Sequence, residues 1–193
     1  MGLISNGTTI FDAGAMASGF GGSMVFIKKL TASSSANLSF VDGASSVVLD
    51  STYKEYLFTF KNIHPQNNAT RLQFNVSIDA GSNYNVAKTS TMFNAYHNEG
   101  DSGAALAYET GTDSAQATGT EHLGNDTSNA NDSCMGGYLH LFNPASTTFV
   151  KHFISRAATL ANGEYAVDTY KAGYCNTTSA IDAIQFSMSS GNI

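Results

Sequence analysis

The feature that most constrains this chain is a two-residue period in its hydrophobicity. Across Arg71–Asp79, the residues Leu72, Phe74, Val76 and Ile78 alternate with polar neighbours. Successive side chains of an extended chain point to opposite faces, so this pattern predicts a strand with one face in a core and the other in solvent. The same period returns in Gly137–Phe142, Thr147–Ala157, Glu164–Tyr174 and Ala180–Met188, the last with Ile184, Phe186 and Met188 on a common face. Met24–Leu30, Ala36–Val41 and Tyr84–Tyr96 read as further strands. Tyr53–Ile63 places Tyr56, Phe58 and Phe60 on one face and Leu57, Thr59 and Lys61 on the other. Both of its faces are fairly apolar, which predicts either a central strand or a strand at a subunit contact. No apolar stripe recurs at helical spacing, and Val, Ile, Thr, Tyr and Phe dominate the periodic segments. About eight to ten strands separated by turn residues predict an all-β fold, an antiparallel β-sandwich of jelly-roll type.

Two stretches fall outside the alternation. Residues 1–22 carry Gly2, Gly7, Gly14, Gly19, Gly21 and Gly22 without a sustained period. Glycine at that density makes a compact element expensive in backbone entropy. The segment therefore reads as an extended N-terminal docking arm, with Phe11, Met16 and Phe20 as its anchors, followed by a sandwich domain at 23–193. The second stretch, 98–133, is poor in apolar residues and long for a connection, with one strand expected near Ala105–Tyr108; a loop of this length tends to be functional.

Charged residues are 12% of the chain, about half the usual share of roughly 25%. The surface is therefore built from Asn, Ser, Thr and Gly. A net charge of −6, with the nine basic residues scattered, argues against a nucleic-acid partner. No apolar run reaches the roughly 20 residues that span a bilayer, and the N-terminus lacks the pattern of a secretory signal. Synthesis in the cytosol is the expectation, and release by lysis would fit a protein acting outside the cell. Cys134 and Cys175 lie beside strands and read as two small buried thiols or a single bridge.

No catalytic signature appears: there is no Gly-x-Ser-x-Gly elbow and no His-Glu-x-x-His. The chain is expected not to be an enzyme, with no catalytic, cofactor-binding or metal-ligating residues to assign. His64, His97, His122, His140 and His152 lack zinc-ligand spacing, though His140 and His152 stand on the two strands of one expected hairpin. Asp101, Asp113, Asp126 and Asp132 could offer oxygens to calcium but lack EF-hand spacing. Asn-x-Ser/Thr sequons are numerous, as chance predicts in so Asn-rich a chain. Tyr84, Tyr96, Tyr108 and Tyr165 are the candidate exposed aromatics. Of these, Tyr96 and Tyr108 are the expected contacts to a glycan, which aromatic faces can stack against.

Several segments carry a resemblance. They are the opening Met1–Ile10, Val41-Asp42-Gly43 through Tyr53–Tyr56, Asn62–Pro65, Phe93–Glu99, Phe149–Arg156 and the closing Ile184–Ile193. Together they resemble small virion structural proteins of marine tailed bacteriophages. The resemblance implies an exposed fibre, spike or capsid decoration, localised to the virion and anchored to other virion proteins by its arm. Proteins of this look continue past Ser189–Ile193 into one more strand, so an edge is expected to be open to another subunit. The two-sided apolarity of Tyr53–Ile63 and the sparse surface charge suggest a homo-oligomer, with a homotrimer as the expectation. The alternative function is a carbohydrate-binding module at a tail-fibre tip, its 98–133 loop reading a host surface glycan.

Overall fold

The computed structural model describes residues 3–12, 15–16 and 24–193. The strands are β1 (Leu3–Ser5), β2 (Thr8–Asp12), β3 (Ala15–Met16), β4 (Leu38–Val41), β5 (Glu55–Ile63), β6 (Leu72–Ser77) and β7 (Lys88–Asn98). They continue with β8 (Ala104–Tyr108), β9 (Ser114–Ala117), β10 (Glu121–His122), β11 (Met135–Phe142), β12 (Lys151–Ala161), β13 (Tyr165–Cys175) and β14 (Ala183–Met188). No helix occurs among the described residues.

Eleven of these strands make two antiparallel sheets. The narrow sheet has the order β10-β6-β14-β4; the wide one runs β5-β11-β12-β13-β7-β8, with β9 also pairing β7. The narrow sheet thus sets the first and last sandwich strands side by side, and β5 and β11 neighbour each other in the wide sheet. This is the strand order of a jelly roll with one extra hairpin, β12–β13, set between β11 and β7. Adding two antiparallel strands leaves the sense of every later strand unchanged, so β14 can still return to the narrow sheet. The expected antiparallel sandwich is therefore the observed fold, widened at its centre.

The alternation read from sequence sets which face is buried. Along β12, Phe153, Ser155, Ala157, Thr159 and Ala161 point inward while His152, Ile154, Arg156 and Ala158 face out. Phe74 of β6 meets Phe153 edge-on at 5.1 Å, and Phe186 of β14 packs against Phe58 and Phe60 of β5 at 5.5 and 5.2 Å. Gly137 lets β11 lie close to β12: a Cβ there would run into the Arg156 carbonyl and sit 2.9 Å from Ala157 Cα.

Several segments depart from expectation. Met24–Leu30 forms no strand, pairing with none among the described residues, and Met24, Val25 and Phe26 are exposed. Tyr53–Ile63 is not central: β5 is an edge of the wide sheet, paired only with β11, and Glu55 and Lys61 mark it with charge. The return after Asp79 begins at Lys88 rather than Tyr84. The 98–133 stretch holds three short strands instead of one, and Glu121, Leu123, Thr127 and Ser133 within it are buried.

Residues 3–12 and 15–16 form the separate sheet β1-β2-β3. Asn6 and Gly7 both have positive φ (48° and 76°), the two-residue turn that matches the twist of a hairpin. Of the proposed arm anchors, Phe20 lies outside the described residues, as do the side chains of Phe11 and Met16; their backbones pair with each other across β2 and β3.

The narrow sheet is too small to cover the wide one. At roughly 4.8 Å per strand, four strands cover only part of the inner face of β13 and β7, which they meet at Glu121 of β10 and Asn75 of β6, and a gap remains beside them. Loops fill that gap, and their carbonyls have no ladder partners. Three lysines supply the missing donors from the sheet: Lys88 Nζ to Val86 O (2.8 Å), Lys171 Nζ to Thr112 O (2.8 Å), and Lys151 Nζ to Thr177 O (3.0 Å) and Ser179 O (2.6 Å). All three are buried, and burial holds each ammonium below its ordinary pKa. Lys171 alone meets a carboxylate, Glu121 Oε2 at 2.6 Å.

Candidate functional site on the outer face of the wide sheet

Among the described residues nothing covers the outer face of the wide sheet, and register concentrates large side chains there in one line. Thr59 pairs with Tyr138, Tyr138 with Arg156, Arg156 with Tyr170, Tyr170 with Phe93 and Phe93 with Tyr108. From Tyr138 to Tyr108 this row crosses five strands, about 19 Å at the spacing of neighbouring strands. Phe93, Tyr108 and Tyr138 are 44%, 54% and 37% exposed, so the row is open to a partner along its length.

The row is held in shape by its own contacts. Phe93 and Tyr170 stack with centroids 5.0 Å apart and planes 4° from parallel. The Arg156 guanidinium lies 4.9 Å from the Tyr170 ring centre, within cation–π range. Asp168, one pleat away, takes both arms of that guanidinium: Arg156 Nε donates to Oδ1 at 3.0 Å and Nη2 to Oδ2 at 2.8 Å. This fork pulls the Asp168 carboxyl below its usual range and pushes Arg156 further up, so the pair is fully charged at neutral pH. At the far end, Tyr108 Oη donates to Asp113 Oδ2 at 2.7 Å.

Beside the row runs an open trough of about 830 Å³. Gly136, Ala158 and Ala95 floor it, Tyr138 and Arg156 stand on one side, and His97 and Leu160 stand on the other. Small floor residues bring a ligand down to the sheet backbone. Upright aromatic and guanidinium groups beside them offer flat faces, and Asp168 offers carboxylate acceptors. The arrangement suits a flat-sided, hydroxyl-rich chain laid across the strands.

The residues expected from sequence to contact a glycan do not come together. Tyr108 stands on the outer row, whereas Tyr96 has the inward parity of Met92 and Asn94, packs edge-on against Tyr165 at 5.7 Å and borders the trough beside His97. His140 and His152 also stay apart: His140 hydrogen-bonds Glu55 on β5, and His152 packs against Tyr174 at 6.1 Å. Asp101, Asp113 and Asp126 are taken separately by His97, Tyr108 and Arg71. No group of three or more metal-ligating residues forms among the described residues. Cys134 and Cys175 are free thiols, and burial pushes Cys175 up to about 12. The residues that sequence reading missed are Arg156, Tyr170 and Phe93. Each was visible as an off-face residue of a strand, but only the register puts them in line. No known protein family, curated protein or solved structure matches the chain.

Proposed function

We propose that this chain is a non-catalytic module that binds an extended glycan across the outer face of its wide sheet, as an exposed part of a phage virion. The observation that carries the glycan reading is the in-register row Tyr138–Arg156–Tyr170–Phe93–Tyr108 beside a shallow trough. A pocket for a small molecule encloses most of its ligand. This trough is open along its length, which suits a polymer passing over it. The virion setting is supported by the resemblance of the sequence segments given above, and a homotrimer is the assembly proposed for it.

The test is binding of soluble bacterial surface polysaccharides and their oligosaccharides, read by calorimetry and by glycan array. Saturable binding to a subset is expected, reduced at least tenfold by Tyr170→Ala and by Arg156→Ala, with the circular dichroism spectrum unchanged. Uniform or absent binding across the panel overturns the reading, as does binding that survives both substitutions. Light scattering of the same preparation should give three times the chain mass, and a monomer would remove the trimer from the proposal.

A further inference from the structure

The polar half of the interior holds an amine and a carboxamide in direct contact. Lys88 Nζ lies 2.6 Å from Asn75 Oδ1, and both residues are buried. With a carbonyl bond of about 1.2 Å, Nζ is no more than about 3.8 Å from Asn75 Cγ. That is close to the separation of a near-attack arrangement, roughly 3–3.5 Å. We propose that Lys88 and Asn75 join through an isopeptide bond that the folded chain makes by itself, cross-linking β7 to β6.

Three surroundings favour the reaction. First, Lys88 hydrogen-bonds only neutral partners, Asn75 Oδ1 and Val86 O, and the opposing pull of the Glu121 charge does not overcome the burial of its ammonium. Burial accordingly lowers its pKa, and the free amine is the nucleophilic form. Second, the carboxamide nitrogen that must leave is aimed at two acceptors: Asn75 Nδ2 donates to Tyr84 O at 2.6 Å and to Thr118 O at 3.0 Å. The same carbonyls can receive departing ammonia. Third, a buried carboxylate stands nearby with one oxygen unused. Glu121 Oε2 accepts from Lys171 Nζ at 2.6 Å and from Ser90 Oγ at 2.8 Å, while Oε1 is buried without a partner. Ser90 is two residues beyond Lys88 on the same strand.

The step balances without any co-reactant. The Lys88 nitrogen adds to Asn75 Cγ, and the proton it loses moves to Nδ2 of the same carboxamide, while the Glu121 charge, close enough to act on Lys88, stabilises the transient positive charge on the lysine nitrogen. The Cγ–Nδ2 bond then breaks and one ammonia is released, leaving a secondary amide. Sequestration from water protects the step from hydrolysis. A cross-link that needs only the completed fold suits a chain whose two thiols remain free.

High-resolution mass spectrometry of the purified protein after cleavage on the C-terminal side of aromatic residues tests the proposal. Such cleavage at Tyr84 separates Asn75 from Lys88 in the chain. The expected result is one joined species containing both segments, lighter by one ammonia than their sum after the water of cleavage is counted. In Lys88→Met and Asn75→Ala the segments should separate. Glu121→Gln, which can still accept the Lys171 hydrogen bond, should give mostly unjoined segments in a folded protein. Full-length wild-type protein in which the segments separate overturns the proposal. Loss of ammonia confined to a linear Asn75 segment also overturns it, since that marks a succinimide.

Discussion

The interior of this sandwich has two halves that solve burial differently. Under β5, β11, β6 and β14 the core is apolar, built from side chains such as Leu139, Leu141, Phe74, Phe186 and Ile184. Under β12, β13 and β7 the same sheet turns inward Lys151, Ser155, Thr159, Thr169, Lys171, Lys88 and Asn94, all buried. Strand geometry is the same in both halves; the covering layer differs. A sheet laid on a sheet brings its own saturated backbone, so apolar side chains suffice between them. A loop laid on a sheet brings unsatisfied carbonyls, and the sheet must answer with donors. Buried lysine follows from the mismatch between a wide sheet and a narrow one.

The sharpest way to break this contrast is to remove one partner of the buried pair. Lys171→Met leaves Glu121 buried and uncompensated and should destabilise by about 3–5 kcal/mol in denaturant unfolding. Adding Glu121→Met removes the orphaned charge and should recover most of that loss. Phe153→Ala, where β12 meets Phe74 of the apolar half, should lose a similar amount, about 3–5 kcal/mol, through a cavity that no second polar substitution restores. If the Lys171 and Glu121 losses simply add, the pair is not the coupled unit described above.

A smaller effect tests where the two halves meet. His122 sits on β10, where the covering loop joins the narrow sheet, and burial with Arg71 and Lys171 nearby lowers its pKa to about 4. Glu121 and Asp126 act in the opposite direction but do not prevail. The unfolded chain, with a histidine near 6.5, takes up a proton first as the pH falls. Stability from this group is therefore complete above about 6.5 and lost as the pH falls toward about 4, by roughly 2 kcal/mol. His122→Gln should flatten that part of the stability profile; an unchanged slope would show that His122 takes up its proton as readily in the fold as in the unfolded chain.

The two halves were not equally legible in the sequence. The apolar half was read largely correctly because its alternation is regular: the expected faces of Tyr56, Phe58 and Phe60, of Leu72, Phe74 and Val76, and of Ile184, Phe186 and Met188 are those observed, while Ile78, expected on the core face with Val76, lies past the end of β6 and is exposed. The polar half was hidden by the same rule. In β13, Lys171 and Thr169 occupy inward positions, where a two-residue period predicts apolar groups. Asn75, assigned to the solvent face of its strand, is buried by the loop that follows. Nothing local to Glu121 marks the middle of a polar stretch as interior. The outer row failed for another reason: Arg156 and Tyr170 lie 63 and 77 residues from Phe93 along the chain, and register across hairpins is a tertiary property.

The finest test concerns hydroxyls rather than charges. The Oγ of Ser155 and the Oγ1 atoms of Thr159 and Thr169 are buried without a protein partner, all on the inner face of the extra hairpin. An unsatisfied buried hydroxyl is destabilising relative to an apolar group of the same shape. If the polar half is needed only where loop carbonyls require donors, these hydroxyls serve nothing, and Ser155→Ala and Thr169→Val should be neutral or stabilising by up to about 1 kcal/mol in denaturant unfolding. A loss of about 1–2 kcal/mol in both would mean that ordered water links them into the lysine network. The contrast between the halves would then be one of hydration as well as of cover. The answer separates a core that tolerates polarity from one that depends on it.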